Sequence, residues 1–131
     1  MTQEDKDLLL KELCARLPYG VKCKYYDCCE GDYDEGTICG FERQEYIQID
    51  GVCIHIEEVK PYLFPMSSMT EEQKNEFNTK SLELQLKVID DEIMYEKATE
   101  FEVDFYNKHH LDWRGLIPKG LAINATELNI Y

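Results

Sequence analysis

"YIQIDGVCIHIEEV", residues 46–59, decides the fold class. Ile47 and Ile49 alternate with Gln48 and Asp50, and Val52, Ile54 and Ile56 alternate with Cys53, His55 and Glu57. A period of two belongs to a strand with one buried face. Asp50-Gly51 stands between the two runs. That pair suits a two-residue type I′ turn, whose central residues both need positive φ. The stretch predicts a β-hairpin.

Working outward from it, "VKCKYY" (21–26) and "TICGFERQ" (37–44) are further β-prone runs, with Gly40 as a bulge or close-approach position. About four short strands with tight connections predict a curled antiparallel meander, with a small SH3-like barrel as its closed form. Pro61 and Pro65 are expected to end it. On the N-terminal side, Leu9, Leu10, Leu13, Cys14 and Leu17 recur at helical spacing over residues 4–17, capped by Thr2 with Asp5 and stopped by Pro18 and Gly20. On the C-terminal side, Thr70 with Gln73 forms a capping box, and Glu71 and Glu72 suit the dipole of a helix starting near 71. Residues 82–97 carry both periods; Leu82, Leu86, Ile89 and Ile93 favour helix. Thr99 with Glu102 reads as a further capping box before "FEVDFYNKHH", with Phe101, Phe105 and His109 on one face. "LIPKGLAINA" is a short apolar tail expected to dock on the core. The whole chain, 1–131, reads as one α+β domain: an N-terminal helix, the meander, then two or more C-terminal helices.

The chain has 131 residues and a net charge of −13. A domain of this size buries roughly two thirds of its unfolded surface and needs no disulfides to stand. The acidity is uneven: residues 1–26 carry +1, 27–60 carry −8 and 61–131 carry −6. Such a surface repels backbone phosphates, which disfavours nucleic acid, and it attracts a basic partner. No stretch approaches the roughly 18 apolar residues of a membrane span. "MTQEDKDLLLKEL" has acids where a signal peptide needs bases and an apolar run, so a cytoplasmic location is expected.

The chemistry-bearing residues form no strong motif. The six cysteines, Cys14, Cys23, Cys28, Cys29, Cys39 and Cys53, lack the paired C-x₂₋₄-C spacing of structural zinc. Cys14 and Cys53 fit core positions as small hydrophobes. Asp27, Glu30 and Asp32 would raise neighbouring thiol pKa values, which disfavours redox sensing. A calcium loop beginning at Glu30 places Glu35 where glycine is required and Phe41 where the bidentate glutamate is required. His109 and His110 point about 100° apart on a helix, so a site there would take Asp104 and Asp112 with one of them, where the helix ends. Packing one histidine and exposing the other is the structural alternative. No nucleotide, zinc-protease or nucleophile-elbow motif is present. No cofactor and no metal are called for, and catalysis has no positive case.

What stands out is "YYDCCEGDYDEGTICGF", residues 25–41, read as an acidic, tyrosine-bearing connection between strands with Gly31 and Gly36 as hinges. Tyrosine beside carboxylate is good contact material for another protein. Asp27, Glu30, Asp32, Tyr33, Asp34, Glu35 and Glu42 are therefore the candidate interaction surface.

Three stretches, "LPYGVK" (17–22), "VKPYLFPMSSMTEEQ" (59–73) and "NKHHLDWRGLIPKGLAINA" (107–125), together resemble a group of small uncharacterised proteins of gut Bacteroides-type bacteria and their phages or prophages. The resemblance covers the first helix, the end of the β section and the C-terminal third. It implies a cytoplasmic, mobile-element setting and brings no activity, cofactor or catalytic residue. Within these stretches Trp113, Leu116, Ile117 and Leu121 read as core anchors, with Gly115 and Gly120 at turns. Arg114 is a charge amid docking residues, expected to pair with Asp112 or an acid of the β section, and it joins the candidate surface. The favoured function is a non-catalytic acidic interaction module, a phage-encoded modulator of a host protein. A metal- or thiol-dependent enzyme using Cys28, Cys29, His109 or His110, and a structural subunit of a phage assembly, are the alternatives.

Overall fold

The protein is described, over residues 1–43, 45–86 and 92–131, from a computed structural model. Helix α1, Gln3–Arg16, starts where the Thr2 hydroxyl accepts the Asp5 N–H (3.1 Å). A single 3₁₀ turn, Leu17–Tyr19, and Gly20 at φ 67° end it. Strands β1 (Lys22–Asp27), β2 (Asp32–Arg43), β3 (Tyr46–Ile49), β4 (Val52–His55) and β5 (Val59–Leu63) follow. Then come α2 (Glu71–Leu86), α3 (Glu92–Lys108) and a two-residue strand β6 (Ile123–Asn124). The fold is α+β.

The hairpin that opened the reading is β3–β4. Ile49 pairs with Val52, and Asp50 and Gly51 have φ of 48° and 86°, as a type I′ turn requires. Ile47, Ile49 and Ile54 face the core, while Ile56 reaches it from a 3₁₀ turn. The six described strands run β4-β3-β2-β1-β5-β6, antiparallel except for β5 with β6. β4 and β6 end the order on opposite sides, so the sheet is open and no barrel closes.

Three expectations are corrected by the sheet. Pro61 does not end the β section; it sits inside β5 opposite Cys23. A proline is tolerated there because β6 covers the outer edge of β5 only from Tyr62 on. The acidic connection is mostly strand: β2 begins at Asp32, leaving only 28–31 as the turn, with Gly31 at φ 71°. Gly36 is therefore no hinge. It pairs with Cys23 in extended backbone, and a Cβ there would lie 2.6 Å from both Ile49 Cγ2 and Asp50 Oδ2. Gly36→Ala is expected to destabilise the protein by about 1–3 kcal/mol through overpacking, measurable as a lowered urea midpoint; an unchanged midpoint would show that the β3–β4 turn yields freely. Gly40 sits at the expected irregularity, where β2 slips register against β3 between Ile38 and Gly40; a second slip follows between Phe41 and Arg43.

α1 lies on one face of the sheet. Leu9 and Leu13 are fully buried with Val21, Cys23, Ile38, Ile47, Ile49, Val59 and Leu63. Burying each such aliphatic side chain contributes about 1.5–3 kcal/mol, which is what holds the helix down. Cys14 and Cys53 are exposed, not core as expected; Cys23 is the buried thiol, and burial pushes its pKa up to about 12.

The C-terminal third forms a second layer. The Thr70–Gln73 capping box is made in both directions: Thr70 N–H donates to Gln73 Oε1 (3.0 Å) and Gln73 N–H to Thr70 Oγ1 (3.1 Å). α2 continues to Leu86, so the helical reading of Leu82 and Leu86 holds; Ile89 lies outside the described residues and Ile93 lies in α3. Thr99 is not a cap, because α3 begins seven residues earlier at Glu92, and Glu102 instead accepts the Ser81 hydroxyl (3.3 Å). Phe77 of α2 meets Phe101, Phe105 and Tyr106 of α3, and Phe105 continues onto His109 as the spacing predicted. The chain after α3 returns beside the sheet. Phe64 N–H donates to His110 O and Asp112 N–H to Phe64 O, both at 2.8 Å. Leu116 and Leu121 are buried as anchors, and Ile117 and Trp113 are half-buried. No helix among the described residues is long and apolar enough to cross a membrane.

Candidate functional site

The candidate residues separate into three places. Asp27, Glu30, Asp32, Tyr33, Asp34 and Glu35 come together on the β1–β2 hairpin. Glu42 lies farther along β2, where its side chain contacts Cys53 and raises that thiol's pKa. Arg114 is elsewhere altogether.

On the hairpin, Asp27 pairs with Asp32, Tyr26 with Tyr33 and Tyr25 with Asp34. β5 follows β1 only as far as Tyr25, opposite Val59. The last two rungs therefore have no third strand. The pleat puts Asp27, Asp32 and Asp34 on one face, and Tyr26, Tyr33 and Glu35 on the other. Like charges directly opposite across a ladder are destabilising, so Asp27 against Asp32 costs the fold stability rather than adding to it. Each aspartate restrains itself through the backbone. Asp27 Oδ1 accepts Cys29 N–H (2.9 Å), Asp32 Oδ1 accepts Tyr33 N–H (2.7 Å) and Asp34 Oδ1 accepts Glu35 N–H (2.8 Å).

None of these five acids forms an ion pair among the described residues. Glu35 is tied inward, accepting the Tyr62 hydroxyl at 2.8 Å, and burial with this bond drives the Tyr62 pKa up. Tyr33 is 63 % exposed, held edge-on to Tyr26 at 5.2 Å and under the Lys24 ammonium at 5.0 Å. The tip thus presents fixed carboxylates and one oriented phenol ring to solvent. Cys28 and Cys29 are exposed in its turn, where Cys28 and Asp27 raise the Cys29 pKa.

Arg114 pairs with neither Asp112 nor the β section. It forms an ion pair with Glu12 of α1 and stacks on Trp113, 4.3 Å from the ring centroid. Asp112 is already committed, accepting Leu116 N–H (2.7 Å) and Ile117 N–H (2.9 Å). Glu12 in turn accepts from Arg16 Nε (3.1 Å) and Nη2 (3.0 Å), and Arg16 Nη2 also donates to Leu111 O (2.7 Å). Glu12 is 1 % exposed and Arg16 0 %. Burial lowers the Arg16 pKa against the pull of Glu12. Reading the sequence missed this triad, yet its signal is present: Glu12 and Arg16 stand four apart, on the stripe of Leu9 and Leu13.

The histidines are also placed differently from expectation, since both are half-buried. His110 leaves the helix at φ 57° and stacks flat on Tyr131 (3.8 Å, 13°). The Tyr131 hydroxyl accepts Lys22 N–H (2.9 Å) and donates to Tyr62 O (2.8 Å), bridging β1 and β5 beyond their last paired rung. Asp104 is exposed on α3, and no group of three metal-ligating side chains gathers among the described residues. No family model, curated protein or solved structure matches the chain.

Proposed function

We propose that this protein is a non-catalytic interaction module whose β1–β2 hairpin docks on a basic patch of another protein in the cytoplasm. The observation that carries the reading is a set of carboxylates with no counter-ion among the described residues at the end of the hairpin: Asp27 and Asp32 on the last rung, which no third strand supports, Glu30 in the turn, and Asp34 two residues farther along β2. Self-repulsion there is retained in the free protein and relieved by a cationic partner, which favours association and speeds it. Tyr33 supplies an exposed ring of the kind that anchors interfaces. The resemblance of the three quoted stretches supports a mobile-element setting, in which such a module modulates a host protein.

The test is affinity capture with matched variants. Asp27→Lys, Asp32→Lys and Asp34→Lys together reverse the hairpin and leave Glu35 on Tyr62. A control reverses Glu71, Glu72 and Glu76 on α2, giving the same change in net charge. The expected result is a partner retained by the wild type and the control and lost by the hairpin variant. Retention by the hairpin variant, or equal loss by the control, would refute docking through this surface.

A further inference from the structure

The face of the sheet turned away from α1 carries two lysines without acidic partners. Lys24 of β1 and Lys60 of β5 stand directly opposite each other in the ladder. Their neighbours Cys23, Tyr25, Val59 and Pro61 are buried, so the pleat turns both lysines outward. Like charges directly opposite across a ladder are destabilising. The chain has 27 acidic and 14 basic residues, yet neither lysine forms an ion pair among the described residues. Glu35, across from Lys24 on β2, is taken by the Tyr62 hydroxyl.

Both lysines line one cavity of about 290 Å³, together with Tyr33, Ile123, Glu57 and Glu58. That volume is at the small end of ligand sites, which begin at roughly 300 Å³. Four strands and one turn build the wall: β1, β2, β5, β6 and the 3₁₀ turn Ile56–Glu58. The exposed Tyr33 ring, 5.0 Å from Lys24 Nζ, and the half-buried Ile123 supply apolar surface. Glu57 is already paired with Lys6 at 2.9 Å. Glu58 forms no ion pair among the described residues. Lys24, Lys60 and Glu58 are all exposed, so a molecule in the cavity can reach them.

We propose that this cavity binds a small zwitterion of the amino-acid type. Its carboxylate lies between Lys24 and Lys60, its ammonium meets Glu58, and its apolar part rests against Tyr33 and Ile123. A carboxylate between the two lysines relieves their repulsion through charge-assisted hydrogen bonds. A simple anion gains the same bonds but meets Glu57, Glu58 and a net charge of −13. A simple cation meets the two lysines. A zwitterion is neutral overall and matches both signs of the wall, which is the basis of the discrimination. Tyr33 is shared with the docking hairpin, whereas Lys24, Lys60 and Glu58 are not, so the site stands or falls independently of docking by the aspartates.

The test is an NMR titration that follows the backbone amides of Lys24, Tyr33, Lys60 and Ile123. The probes are leucine, 4-methylpentanoate, which is leucine without its ammonium, and isopentylamine, which is leucine without its carboxylate. The expected result is saturable movement with leucine and none with isopentylamine. The affinity for 4-methylpentanoate is expected to be about fivefold lower than for leucine, the loss of one exposed charge pair. Lys60→Gln is expected to weaken leucine binding about fivefold for the same reason. Glu58→Gln is expected to bring leucine down to the affinity of 4-methylpentanoate and to leave 4-methylpentanoate bound no more weakly than before. Both side chains are exposed, so neither change disturbs the core. No saturable response to leucine, binding of either single-charge probe as tight as leucine's, or unchanged leucine binding by Lys60→Gln or Glu58→Gln would overturn the proposal.

Discussion

Replacing Arg16 by alanine is expected to lower stability by about 3–5 kcal/mol, read as a shifted urea midpoint with an unchanged slope. Arg16 is completely buried and holds two bonds to Glu12 and one to the Leu111 carbonyl. Glu12 carries the second link, to Arg114, so the triad joins α1 to the chain that returns from α3. Removing the guanidinium leaves a buried carboxylate with only the partly exposed Arg114 to balance it. Desolvation of an unpaired charge, rather than loss of contact area, is the larger part of the expected cost. A second variant separates the two. Glu12→Leu, Arg16→Met and Arg114→Leu together remove all three charges and keep most of the volume. That protein is expected to recover most of the lost stability, or to exceed the wild type. If it is as unstable as Arg16→Ala alone, packing and not charge is the basis of the effect.

Acid is expected to destabilise the protein through His110. The folded imidazole has its pKa lowered from 6.5 to about 4, by burial first, then by the charge of Arg16, by neighbouring His109 and by the charge of Lys22. An unfolded chain takes up this proton near pH 6.5, whereas the folded one waits until about pH 4. Between those values the unfolded state binds more protons, so stability falls as pH falls. The loss attributable to this one group reaches about 2–3 kcal/mol by the lower end of the window. His110→Phe preserves a ring against Tyr131 and cannot titrate. Its stability profile is expected to be flatter than the wild type's by that amount across the window. Parallel profiles for the two proteins would show that His110 is not the acid-sensitive group.

How much of this was legible beforehand depended on whether the signal was local. The β3–β4 hairpin and the Thr70 capping box are each written within a few residues, and the structure forms both. Pro61 misled because proline is read as a local stop, while its tolerance in β5 depends on where a strand 60 residues later begins to pair. Gly36 misled in the same way: its neighbours in sequence suggest a turn, whereas its reason is the β3–β4 turn packed against it. Thr99 with Glu102 satisfied a capping rule that a longer helix overrode. The candidate hairpin was legible as an acidic segment, but not its division into two faces, which only the register supplies. Arg114 was singled out as an odd charge, but the partners expected for it, Asp112 or an acid of the β section, were the wrong ones, because Glu12 lies on α1 about a hundred residues away.

The most direct test of docking through the hairpin is the affinity of the captured partner measured against salt. The wild-type Kd should rise steeply with ionic strength, as screened charge pairs require. The variant reversed at Asp27, Asp32 and Asp34 should bind about a hundredfold more weakly at low salt, the sum of three exposed pairs at about 1 kcal/mol each. It should also show a shallower salt dependence. A wild-type affinity indifferent to salt, or a reversed variant that binds as tightly, would contradict docking by the acidic hairpin.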